Sequence, residues 1–166
     1  MICQPISGWS METIYLFNKD SINADPMLKT LPSATIKKLD FLTQKLKGAA
    51  SIPLFVNNKK YCLIFFGSEW DTIHEWFFKV STINKSDIDV FRNFVINHED
   101  AHCVFYFQNK TFSSYEEGEF YADKYSLKKL SPIFDIKNVK DAIIKERLFQ
   151  LKDKKDSLLF DLYKSL

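Results

Sequence analysis

Apolar and polar positions alternate along this chain with periods that change from one segment to the next. Ile36, Leu39, Leu42 and Leu46 recur every three or four residues, which places them on one face of a helix over 34–47. Ser33 before this run is a candidate N-cap and Gly48 after it a candidate C-terminal cap. Two apolar, β-rich runs at 52–56 and 61–66 flank Asn57-Asn58 and predict a hairpin. Residues 76–82 form a third strand candidate, and 11–17 a short strand or turn. Phe91, Phe94, Val95, His98, Ala101, His102 and Phe105 again follow helical spacing. Ser86 is the candidate cap of that helix, Asp87 and Asp89 suit its first turn, and Asn109-Lys110 breaks it. A further helix is expected over roughly 113–130, ending before Pro132. Residues 138–166 read as one long or two shorter amphipathic helices with Lys and Asp outward. Residues 1–32, broken by Pro5, Gly8, Pro26 and Pro32, read as an irregular N-terminal segment.

Composition narrows the class. At 166 residues and 46% hydrophobic, with 16 Phe, the chain can bury a core and suits one domain spanning 1–166. Its 23 basic and 21 acidic residues leave a net charge of only +2, so no nucleic-acid or membrane partner is expected. With 4 glycines and no G-x-G-x-x-G or Walker-type run, a phosphate-cradling loop is not expected. Cys3, Cys62 and Cys103 are odd in number and form no C-x-x-C pair, which suggests neither a disulfide framework nor a thiolate metal site. Cys103 reads as a small buried apolar residue. No 18-residue apolar run occurs, and the apolar stretch 13–17 is too short for a signal core. The expectation is a soluble, cytoplasmic protein in a reducing compartment.

The chemistry concentrates in His98-Glu99-Asp100-Ala101-His102, an H-E-x-x-H pattern inside a predicted helix. Positions four apart share a helical face, so two imidazoles can meet one metal ion, and the intervening Glu can deprotonate a water there. A catalytic zinc site needs a third protein ligand. Glu116, Glu117, Glu119 and Asp123 crowd the next helix, and Glu119 is the choice. Glu119 and Asp123 are four apart, so Asp123 can accept the N–H of a ligating imidazole and fix its orientation.

HEDAH followed by Glu119-Phe120-Tyr121-Ala122-Asp123 resembles the gluzincin pattern H-E-x-x-H…E-x-x-x-D of zinc metallopeptidases, in particular the small M48-like and ImmA/IrrE-like zincins. The likeness covers about residues 76–130. It implies Zn2+ held by His98, His102 and Glu119, Glu99 as general base, and Asp123 as the orienting partner. It also implies a minimal zincin-like α+β domain: a small β-sheet on an active-site helix, a second ligand-bearing helix, and a C-terminal helical segment over 136–166. The strand at 76–82 would be the sheet edge that aligns an extended substrate. Asp100 departs from the family, where an apolar residue is usual, and no third His follows to make a metzincin site. The implied activity is metal-assisted hydrolysis of a protein or peptide substrate, with a neutral donor for the oxyanion. Tyr115, Tyr106 and His74 are candidates for that donor, and the residues do not choose among them.

Plainer readings stand beside this one. His98 and His102 could be two bonded core histidines, although two of the chain's three His at this spacing, with acidic residues following, argue against coincidence. Glu119 could belong to a solvated acidic face, and Asp123 could be a surface carboxylate paired with a Lys. His74-Glu75 is not a second motif, because Phe78 stands where a second His would be. In function, the alternative to an active peptidase is a catalytically inactive binding or regulatory protein on a zincin scaffold, acting on a protein partner. A zinc hydrolase of small amides is a third.

Overall fold

The computed structural model describes residues 10–16, 19–154 and 157–166 of the chain. The fold is α+β. Strand β1 (Met11–Leu16) leads into α1 (Lys19–Ala24) and α2 (Ser33–Lys45), then β2 (Ala49–Val56) and β3 (Lys59–Phe66). Helices α3 (Ile73–Phe77), α4 (Ile88–Phe107), α5 (Tyr115–Leu130), α6 (Lys137–Gln150) and α7 (Leu158–Lys164) complete it. The sheet order is β1-β3-β2, with β1 parallel and β2 antiparallel to β3.

The hairpin forms as expected. Asn57 and Asn58 both take left-handed φ, 49° and 61°, which matches the twist of the flanking strands at a two-residue turn. Central β3 is buried on both faces, which explains its unbroken Tyr61–Phe66 apolar run. Tyr61, Leu63 and Phe65 face a core made with Ile22, Leu28 and Leu39. Cys62, Ile64 and Phe66 face α4 through Cys103 and Ile96. Gly67 follows β3 because a Cβ there would collide with the Leu46 carbonyl. A second core joins α3, α4, α5 and α6 through Ile73, Phe91, Phe94, Leu127 and Ile143.

Several sequence expectations are corrected. Residues 76–82 are not a strand: Ile73–Phe77 is a single helical turn and an extended loop follows. The aromatic run Trp76-Phe77-Phe78 has strand propensity, but the Phe77 and Phe78 rings pack on Phe91 instead of entering a ladder. The loop after it is held by α6: Glu146 accepts from the Lys79 and Val80 amides at 2.9 and 3.0 Å, and Ser81 donates to the Ala142 carbonyl. The sheet edge beside α4 is therefore β2. The described part of residues 1–32 is not irregular, since it holds β1, α1 and a 3-10 turn at Leu28–Thr30. Within 11–17 the strand covers Met11–Leu16, and Phe17 lies outside the described residues.

Ser33 is the first residue of α2 and not its cap, since the extended backbone of Pro32 holds the cap position. Gly48 lies beyond the helix end, where Leu46 caps α2. Ser86 sits inside a 3-10 turn, and Asp87 is at the cap position of α4 but its side chain does not cap the helix amides. Asn109, with φ 53°, ends α4 in the left-handed conformation. The C-terminal stretch is two helices, α6 and α7. Cys62 and Cys103 form a disulfide that ties β3 to α4, contrary to the expectation of unpaired thiols. Their spacing of 41 residues hides the pairing in sequence; the sheet-on-helix packing creates it. Cys3 lies outside the described residues. Among the described residues no helix is long and apolar enough to cross a membrane.

Candidate metal centre

Helix α4 is buried along Phe91, Phe94, Val95, His98, Ala101 and Phe105, so the stripe that packs the core also carries His98 into it. His102, one turn on, is half-exposed and points the same way. Helix α5 begins at a cap in which Ser114 Oγ accepts from the Glu117 amide while Glu117 accepts from Ser113. Glu117 is thereby used up in the cap, and Glu116 is paired with Lys154 at 2.6 Å. Of the four acidic candidates, only Glu119 and Asp123 face α4.

Three donor groups converge. His98 Nε2 lies 3.1 Å from His102 Nε2 and 3.4 Å from Glu119 Oε2, and His102 Nε2 lies 3.3 Å from Glu119 Oε1. Donors about 2.0–2.2 Å from a tetrahedral zinc ion are about 3.3 Å apart. The side chains present thus fit such an ion in type and in separation, and the three residues form the one metal-capable cluster found among the described residues. Asp123, fully buried, accepts from His98 Nδ1 at 2.8 Å, which directs Nε2 toward the cluster. The plain alternative for Asp123, a surface carboxylate paired with Lys, does not hold.

Electrostatics follow from these contacts. Burial opposes a charged His98, but the bonds and fields of Asp123 and Glu119 outweigh it, and without a metal its pKa is pushed up to about 10. Burial also opposes ionisation of Glu119 and Asp123. For Glu119 the bonds from His102 and His98 win, and for Asp123 the charge of Arg147 and the bond from His98 win. Both carboxyls are held below the usual carboxylate range.

A cleft of about 650 Å³ opens onto the cluster. Edge strand β2 lines it through Ala49, Ala50 and Ser51, and Ile73, Trp76, Phe77, Phe94 and Val95 form an apolar wall. Glu99 also lines it, and Ser51 Oγ donates to Glu99 Oε2 at 2.9 Å. Of the three expected donors for an oxyanion, Tyr115 lines the cleft, while Tyr106 and His74 are not among its lining residues. Partial desolvation and the Glu119 carboxylate push the Tyr115 phenol up to about 12, so it stays a neutral donor near pH 7. Asp100 points away from the cluster: it accepts from Thr13 of β1 and Lys129 of α5, both at 3.1 Å, so its charge is compensated there.

Three contributors escaped the sequence reading: Ser51, Arg147 and Tyr163. Arg147 is one of only two arginines among 23 basic residues, which was a faint signal. Ser51 and Tyr163 had none, because both act across long sequence distances. No family model, curated protein or solved structure matches this chain, so the reading of the centre rests on its own geometry.

Proposed function

We propose that this chain is a zinc-dependent peptidase of the gluzincin type, with His98, His102 and Glu119 as ligands and Glu99 as general base. The observation that carries the reading is the convergence of two imidazole nitrogens and one carboxylate, 3.1–3.4 Å apart, beside a glutamate that faces the same cleft. A zinc ion, when bound, supplies Lewis acidity for attack of water on an amide carbonyl near neutral pH.

The chain's own residues do the rest. His98 and His102 would hold the ion through Nε2, and Glu119 through its carboxylate. Ser51 donates to Glu99 Oε2, which leaves Oε1 to take the proton of the attacking water and hand it to the leaving nitrogen. The Tyr115 hydroxyl donates to the developing oxyanion. The outer edge of β2 offers backbone donors and acceptors to an extended peptide, and the apolar wall takes one of its side chains.

The test is metal content and peptide-library digestion of the purified chain. About one zinc per chain is expected, lost in His98→Ala/His102→Ala. Glu99→Gln should keep the zinc and lose cleavage by at least about 100-fold. A chain that takes up no zinc, or a Glu99→Gln variant that still cleaves, would overturn the proposal. Zinc uptake without cleavage of any peptide would point to a binding protein on the same scaffold.

A further inference from the structure

We propose that Arg147 and Tyr163, on the last two helices, are positioning residues of the metal centre, clamping Asp123 so that His98 presents Nε2 to the ion. The proposal rests on the reading of His98, His102 and Glu119 as metal ligands. Its ground is the saturation of one buried carboxylate. An ionised Asp offers about four lone-pair sites, and Asp123 receives four donors. Its Oδ1 accepts from His98 Nδ1 at 2.8 Å and Arg147 Nη2 at 3.0 Å. Its Oδ2 accepts from Arg147 Nε and from the Tyr163 hydroxyl, both at 2.7 Å.

The terminal torsion of an aspartate is soft when nothing holds it. Here the planar guanidinium bonds both oxygens in parallel and so sets the plane of the carboxylate. Tyr163, buried and packed edge-on against Phe120 at 4.9 Å, closes the remaining direction. With the carboxylate immobile, the His98 ring has one favoured orientation. Arg147 also reaches Glu119 Oε2 at 3.5 Å, so a single cation touches the orienting carboxylate and a ligating one. It further compensates Asp123 when His98 is neutral, the protonation state in which an imidazole ligates.

This gives the C-terminal helices a role that an amphipathic pattern alone does not suggest. Arg147 projects from α6 and Tyr163 from α7, while the Asp123 they hold lies on α5. A lysine at 147 would keep the charge but could not donate in parallel to both oxygens.

The test uses the full chain in three variants. Tyr163→Phe removes one hydroxyl and keeps the ring, Arg147→Lys keeps the charge and loses the fork, and Val139→Ala loosens buried packing on α6 without touching Asp123. Two quantities are read: the zinc dissociation constant by chelator competition, and the Nδ1–H proton resonance of His98 in the zinc-loaded protein. Zinc binding should weaken about tenfold in Tyr163→Phe and up to about 100-fold in Arg147→Lys. The His98 resonance should move in both, and Val139→Ala should lower the melting temperature while leaving both quantities unchanged. Wild-type affinity and an unmoved resonance in Tyr163→Phe and Arg147→Lys would overturn the inference. So would an equal loss of affinity in Val139→Ala. If the wild-type chain takes up no zinc, the ligand reading itself falls and carries this one with it. That outcome is distinct from a wild type that binds zinc beside variants that bind it equally well.

Discussion

Replacing Cys62 and Cys103 together by alanine should destabilise the metal-free chain by about 4 kcal/mol. The bond closes a loop of 41 residues between β3 and α4. In the chain-entropy account, opening such a loop returns about 13 cal/mol/K to the unfolded ensemble, or about 4 kcal/mol at 25 °C. Both cysteines are fully buried, so small cavities at the two missing sulfurs act in the same direction. For a chain of this size each kcal/mol moves the melting temperature by about 2–4 °C. The expected fall is therefore about 8–16 °C. The assay is urea and thermal unfolding with a chelator present, comparing the oxidised chain, the reduced chain and the double variant. The reduced chain should lie well below the oxidised one, and the double variant at or slightly below the reduced chain, because it alone carries the cavities. In parallel, peptides containing Cys62 and Cys103 should resist alkylation under denaturing conditions until reductant is added. Alkylation of both without reductant, or unfolding midpoints that differ by less than about 1 kcal/mol, would refute the reasoning. The same bond bears on the site, because Cys103 follows His102 and its tether fixes the height of α4 above the sheet.

Two further predictions concern the site. His98 has a folded pKa raised from 6.5 to about 10 in the metal-free chain, so its stabilisation is fully present below about pH 6.5 and is lost as pH rises through about 10. Across that window the stability of the metal-free protein should fall by up to about 1.4 kcal/mol per pH unit relative to His98→Gln; urea midpoints measured against pH check this, and parallel curves for the two proteins would reject it. Ser51→Ala removes the donor to Glu99 Oε2 and should lower kcat about tenfold with KM little changed, as expected for a bond to a charged group that orients the base; steady-state rates on a peptide substrate decide it, and an unchanged kcat would refute it.

Local periodicity carried the reading of most elements. The 3.6 period of α4 and the Asn57-Asn58 turn are interactions among residues close in sequence, so they are written in sequence. The H-E-x-x-H spacing is of this kind, because a helix alone brings His98 and His102 to one face. Glu119 and Asp123 lie one turn apart on α5 for the same reason, and the rotation of α5 against α4 turns Glu119 to the histidines while Glu116 pairs with Lys154 and Glu117 serves the cap. Where local preference misled, tertiary packing had overruled it. Trp76-Phe77-Phe78 has strand propensity, but the ladder beside α4 is already filled by β2, and the Phe77 and Phe78 rings pack on Phe91.

What the sequence by itself determined is the placement of His98 and His102 on one helical face and of Glu119 and Asp123 on the next helix, together with the α+β class of the fold. What only the tertiary structure decided is everything that spans distant segments. That includes the Cys62–Cys103 bond, the Ser51–Glu99 contact across 48 residues, and the clamp of Arg147 and Tyr163 on Asp123 across 24 and 40. The physical reason is the same in each case. A helix or turn fixes neighbours through backbone bonds of short range, whereas a buried polar side chain takes whatever partner the packed core sets in front of it.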